Sequence, residues 1–306
     1  MPKNRISRVL AAVVIVVAAA FLAQTLANGV PLSRLRPSQT SPASPETALE
    51  TFLAKAAEYC RKLESSAFDL VCREEISEAI DPSLDAAADT RTSTPVNTKF
   101  SGPAISFSKV KKINHRFVND YRCVRSGRTI HETRIQLEKN GKKKVVPDVP
   151  LQTSVVVFGT ALLGPVGLFG ERFQPDYEYT IAGEAKIGKV KVLIIDAKPK
   201  PGAPASRNPY GKAWIDPATG DILKIEWNES RVGRYDIFEK RGEIFKRKPR
   251  LIIRSEFNAE KNGVRFPSFF SVEEAYIGDG KPPFVRSKTE VAYKDFKFFT
   301  VDYDYR

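Results

Sequence analysis

The sequence predicts an α+β protein in which one amphipathic N-terminal helix precedes a large antiparallel sheet. Three observations predict it. Apolar residues recur at helical spacing through residues 45–66. From residue 68 onward, alternating segments follow one another across short turns, without the crossovers that a parallel sheet needs. One stretch, TSVVVFGTALLGPVGLFG (residues 153–170), is apolar nearly throughout and interrupts that alternation.

The first 27 residues read as an export signal. Lys3, Arg5 and Arg8 form a basic start without an acid, and an apolar run from Val9 to Ala23 follows. Thr25-Leu26-Ala27 then offers small residues for cleavage. Extended to Ala27, the same run makes an uncleaved anchor the alternative. Residues 28–44 are rich in Pro, Ser and Thr and read as a flexible linker, leaving residues 45–306 as a single domain. Ser44-Pro45-Glu46 is a helix start, with an oxygen-bearing cap, a proline in the first turn and an acid near the positive dipole end. Leu49, Phe52, Leu53, Ala56, Cys60 and Leu63 then share one face.

Phe68, Leu70 and Cys72 alternate with Asp69, Val71 and Arg73, which predicts a half-buried strand. Residues 81–98 read as a mobile loop. Phe117 to Val124 and Thr129 to Leu137 form a hairpin around Ser126-Gly127, and Lys142-Lys143-Lys144 beside Asn140-Gly141 reads as a hairpin tip. Residues 153–170 predict a buried helix up to about Leu163, then a bend at Gly164-Pro165, the whole acting as a plug inside a concave sheet or a lid over it. Tyr177 to Ile181 and Val190 to Ile195 flank a turn near Gly188. A last meander, Leu251 to Phe257, Val264 to Tyr276 and Phe284 to Phe299, breaks at Lys261-Asn262-Gly263 and Gly278-Asp279-Gly280.

Charge and motifs exclude more than they assign. The formal net charge is +13, but its spread along strands and the export signal argue for solubility or an anionic lipid surface, not nucleic acid. Gly183-Glu-Ala-Lys-Ile-Gly188-Lys189 resembles a phosphate loop, but Val190 stands where a magnesium-holding hydroxyl is needed and a strand follows it. With only His115 and His131, no histidine-rich metal site can be built. Glu74-Glu75 and Glu273-Glu274 are adjacent, so on strands their side chains point to opposite faces, a poor geometry for paired acids. No serine sits in a nucleophile elbow. The reading is therefore non-enzymatic and calls on no cofactor. Of three cysteines, Cys60 and Cys72 are the nearer pair and are expected to form a disulfide in an exported chain.

The most legible segment is GKAWIDPATGDILKIEWN, residues 211–228, which carries both tryptophans of the chain. Asp216-Pro-Ala-Thr-Gly-Asp221 is turn chemistry. Leu223, Ile225 and Trp227 are expected on one face, and Trp214 on the partner strand could join Trp227 in one apolar wall, or the two indoles could be a plain core pair.

This strand pair, G-K-A-W-I-D-P-A-T-G-D-I-L-K-I-E, resembles that of the lipoprotein-carrier (LolA/LolB-like) superfamily of bacterial envelope proteins. The helix before the first strand, the unit from Tyr177 to Ile195 and the ending V-A-Y-K-D-F-K-F-F-T-V, residues 291–301, are similar to that plan. The resemblance implies a highly curved antiparallel sheet, an unclosed half-barrel, with helices on its concave side. It also implies a periplasmic or cell-envelope location and an apolar or lipid-like ligand in the cavity. Trp214, Trp227, Phe158, Leu162, Leu163, Leu168 and Phe169 would line that cavity on this analogy. The first expectation is thus a lipid or acyl-chain binding protein. The second is an envelope sensor that holds a protein segment on the same concave surface, anchored by its N-terminus.

Overall fold

Each element can be traced from its residues in the computed structural model, which describes residues 45–67, 70–83, 111–126, 129–153, 163–202, 210–228, 235–278 and 280–298. The export signal, the linker, and nearly all of the 81–98 loop lie outside the described residues.

Helix α1 spans Pro45–Ser66, as its apolar period requires. It buries Phe52, Ala56, Tyr59, Cys60 and Leu63, and leaves Leu49 and Leu53 half-buried at the margin. The sheet comprises β1 (Leu70–Ile80), β2 (Ile113–Ser126), β3 (Thr129–Lys139), β4 (Lys142–Val146), β5 (Tyr177–Ile187), β6 (Val190–Pro199), β7 (Gly211–Ile215), β8 (Ile222–Trp227), β9 (Lys248–Glu256), β12 (Phe269–Gly278) and β13 (Lys281–Phe298). The short strands β10 (Ala259–Lys261) and β11 (Val264–Phe266) form a separate ribbon. Asn140 and Gly141, and again Asn262 and Gly263, take positive φ at their hairpin tips, which is why these dipeptides stand there.

The strand order is β4-β3-β2-β1-β13-β12-β9-β8-β7-β6-β5, and every pairing is antiparallel. Strands β1 and β13 are neighbours, so the first and last strands join the two halves of the sheet. The sheet ends at β4 and β5 and is not closed: it is an unclosed half-barrel. Register shifts at Val71/Arg73, Val118/Asn119, Ile181/Gly183, Trp214/Ile215 and Glu274/Ala275 place bulges along it, and bulges bend strands and increase their twist.

Helix α2 covers Gly164–Phe169, where a bend was expected. Pro165 opens this helix instead of ending one, because the first turn has no use for the N–H that proline lacks. The Leu163 carbonyl accepts from the N–H groups of Val166 (3.0 Å) and Gly167 (3.4 Å). The helix expected before it, over residues 154–162, lies outside the described residues. A third helix, α3 (Asp236–Phe245), stands where no helix was expected. Its period is interrupted by Gly242, yet a Cβ there would lie 2.6 Å from the Arg247 carbonyl oxygen, so the chain folding back after the helix demands glycine.

The core follows from these placements. Residues of α1 and α2 join Ile195, Ala213, Ile215, Ile222, Ile225, Phe257 and Phe266 in one apolar cluster. Ile222 belongs to that cluster and Leu223 does not, because the shift at Trp214/Ile215 puts Ile222 opposite Ile215. The expected disulfide is corrected as well. Cys60, Cys72 and Cys123 are all free and buried. Cys60 turns its sulfur toward α2, with Sγ 3.4 Å from the Pro165 carbonyl oxygen, whereas Cys72 sits on β1.

Part of the interior is polar. On β1, Glu74 and Glu78 alternate with the outward residues and are almost completely buried. Glu74 accepts from Arg134 (2.8 Å and 3.1 Å) and from Asn119 Nδ2 (2.9 Å). Arg134 also donates to Glu132 (2.7 Å), which accepts from the Tyr121 hydroxyl (2.8 Å). Across the sheet, buried Glu274 accepts from Arg241 of α3, Arg286, Ser287 and Tyr276 at 2.6–3.1 Å. Glu75 and Glu273 point outward, so the adjacent carboxylates do face opposite sides. The residues that motif reading set aside are therefore the polar frame of the fold.

Candidate binding groove

The turn at residues 216–221 positions α1. Asp216 closes the turn by accepting from the N–H of Ala218 (Oδ1, 2.8 Å) and of Gly220 (carbonyl, 2.8 Å). Lys55 Nζ of α1 donates to the carbonyls of Pro217 (3.0 Å) and Ala218 (3.2 Å). The Tyr59 hydroxyl donates to the Arg265 carbonyl (2.8 Å), a second tie from α1 to the sheet side. Gly220, at φ +80°, brings the turn so close that a Cβ there would lie 2.5 Å from the Lys55 carbonyl carbon. The hairpin is a seat for the first helix.

With α1 fixed, the segment from α2 to Gln174 lies along it. Gln174 Nε2 donates to the Leu53 carbonyl (3.0 Å) and the Phe169 carbonyl (2.9 Å). Arg172 pairs with Glu64 (3.1 Å) and lies over the Phe173 ring. Between these clasps runs a groove of about 550 Å³, open to solvent. Leu53, Ala54, Ala57 and Cys60 form its α1 wall, and Val166 and Gly170 face them. The groove exists because Ala54 and Ala57 are small on the side of α1 that turns away from the core. Its rim is ionic: Glu58 is bound by Arg61 (2.6 Å), which holds the carboxyl below its usual range, and Glu50, Glu64, Glu171 and Arg172 complete it.

The structure brings together some of the expected ligand residues and separates others. Trp227 lies on the concave side, with its Nε1 donating to Ser255 Oγ (2.7 Å) and its ring edge 2.9 Å from where a Cβ on Gly164 would be. Trp214 pairs with Lys224, on the opposite face of the hairpin, and the Lys224 ammonium sits 4.1 Å from its ring centroid. The two indoles do not share a wall, since paired residues Trp214 and Lys224 fall between the inward positions Ala213 and Ile225. Leu163 is half-buried, and Leu168 and Phe169 are fully buried in the core. Phe158 and Leu162 lie outside the described residues. Val166, Gly170 and the outer side of α1 were missed. The signal that could have found them is the pair Ala54 and Ala57, small residues beside the apolar stripe.

The buried ionic groups are occupied with one another. Burial pushes the Glu132 carboxyl up from its ordinary value, against the pull of Arg134, and burial also pushes up the Tyr121 hydroxyl. The phosphate-loop-like stretch is a β5–β6 hairpin with Gly188 in its turn, as its following strand implied.

An open half-barrel with helices on its concave side defines the class. No protein-family model matches the chain, and no curated protein matches its sequence. Among solved structures, the chain is similar to a DUF1329 family protein from Desulfovibrio piger, at 10% identity and TM-score 0.42, over 84% of this chain and 95% of that one. It is also similar to an outer membrane lipoprotein-sorting protein domain from Vibrio parahaemolyticus (10% identity, TM-score 0.38, 82% and 95% covered). A LolA superfamily protein from Nitrosomonas europaea is a third (10% identity, TM-score 0.34, 83% and 94% covered). The likeness includes the superfamily that the hairpin sequence resembles. It is a distant likeness of fold alone.

Proposed function

We propose that this chain is an exported, non-enzymatic binding protein that holds a lipid or other acyl chain in the groove between α1 and the α2–Gln174 segment. The groove itself carries the reading. Its size is that of an ordinary small-ligand site, its floor is aliphatic, and its charges stand at the rim. Each methylene moved from water into such a site contributes about 0.8 kcal/mol, so six of them supply about 5 kcal/mol before ordering costs. Export rests on the signal-like residues 1–27, and the single domain on residues 45–306. No residue is assigned a catalytic role, because the buried carboxylates are engaged with arginines and hydroxyls.

The test is extraction of the natively purified protein followed by mass spectrometry, with binding of a fluorescent fatty acid alongside. Recovered acyl lipid is expected, and Ala57→Trp, which fills the groove from a half-buried position on its solvent-open wall, should weaken fatty-acid binding at least about tenfold while the protein still melts cooperatively. An empty extract together with identical binding by Ala57→Trp would refute the groove as the ligand site.

A further inference from the structure

We propose that the outer corner of the sheet formed by β9, β12 and β13 docks on an anionic phospholipid surface. The register sets the surface. Lys248 is paired with Ile277, and Arg250 with Ala275, which in turn faces Val285 on β13. Directly paired residues share a face and lie side by side, so these five form one patch. Ile277 and Val285 are 40% and 48% exposed, well above what aliphatic side chains need for packing, and Ile252, two residues along β9 from Arg250, is 37% exposed.

The charges of this corner differ from those farther along the adjoining strands β1, β2, β12 and β13. There, several cations are matched: Lys294, Arg73 and Arg116 all lie within 3.2–3.5 Å of Glu75, and Lys288 within 3.3 Å of Glu273. Among the described residues, Lys246, Lys248 and Arg250 are exposed and make no ion pair. Unmatched cations interleaved with exposed aliphatic groups fit a surface that is negative outside and apolar beneath. An acidic protein would explain the cations and leave the aliphatic groups without a purpose.

A third feature lies at the same corner. A pocket of about 300 Å³ opens between Trp227, Pro249, Leu251 and Ile277 and the stems of Lys248 and Arg250. Its lining is more polar than apolar, which suits a phosphate-bearing headgroup held beside Lys248 and Arg250 while the exposed aliphatic side chains meet the layer beneath. The corner is distinct from the groove along α1, and docking there requires no bound ligand.

Vesicle sedimentation with the full chain tests the surface, using phosphatidylcholine vesicles with and without phosphatidylglycerol. Hydrogen exchange on the same samples locates the contact. Binding should require the anionic lipid and weaken with salt. Lys248→Glu/Arg250→Glu should reduce partitioning at least about twentyfold, since each basic residue near such a surface contributes roughly a factor of five. Ile277→Asp/Val285→Asp should also reduce it. Exchange should slow in residues 246–252 and 275–285. Lys189→Glu/Lys191→Glu, the same charge change at the β5–β6 hairpin, should bind as the unaltered chain does. All three variants alter exposed side chains, and equal melting temperatures confirm that they fold. Undiminished binding by Lys248→Glu/Arg250→Glu, equal binding to neutral vesicles, an equal loss in the hairpin control, or protection confined to other residues would each overturn the proposal. The groove-filled Ala57→Trp variant should retain vesicle binding, so loss of ligand and loss of docking are separable.

Discussion

Gly220 and Gly263 both take positive φ in turns, yet they should respond differently to the same change. At Gly263, an added Cβ meets nothing within 4 Å, so Gly263→Ala carries only the backbone term, about 1 kcal/mol. At Gly220, the Cβ would meet the carbonyl of Lys55 at 2.5–2.6 Å, and helix backbone cannot move aside as a flexible side chain can. Gly220→Ala should therefore lose at least about 2 kcal/mol, read as a difference in urea midpoints between the two variants. A loss at Gly220 no larger than at Gly263 would mean that α1 does not rest on the turn. The turn was legible in D-P-A-T-G-D; that a helix leans on it was not, because nothing local records what passes over a loop.

At the scale of elements, α3 depends on one carboxylate. Glu274 takes donors from the helix, from β13 and from its own strand, and none of its side chain is exposed. Glu274→Ala would remove the buried acceptor that two arginines and two hydroxyls share, a loss of about 3–5 kcal/mol. Glu273→Ala, the outward neighbour that pairs with half-exposed Lys288, should change stability by less than about 1 kcal/mol. Chemical denaturation of the two variants checks the contrast, and similar values would contradict the clasp. The opposite facing of these two glutamates was readable from strand alternation. Which of them lies inside was not, since an acid in a strand normally signals the solvent side. The same limit hid α3, whose buried positions Phe238 and Gly242 give the helical pattern little apolar weight. It also inverted the reading of Gly164-Pro165, since one dipeptide can end a helix or begin one.

For the whole molecule, the cysteines test the fold against the expectation of a disulfide. Cys60, Cys72 and Cys123 are buried and free, and burial pushes the Cys123 thiol up to about 11. A thiol reagent at pH 8 should therefore find no reactive group in the native protein, and three in denaturant without reductant. A single thiol in denaturant would show that two are bonded. Raising the pH should expose Cys123 to reaction before the other two, because burial drives Cys60 and Cys72 higher still.

What the sequence determined by itself was the kind and order of most elements: the helix from Pro45, the antiparallel succession and the tips at Asn140-Gly141 and Asn262-Gly263. These follow from side-chain period and backbone freedom, which are local. Tertiary structure alone decided that Trp214 and Trp227 face opposite ways, that Glu74 and Glu274 are interior, and that a groove opens beside Ala57. A one-residue bulge reverses which side chains face inward, and a cavity exists only between segments distant in the chain, so neither is written in any single stretch of residues.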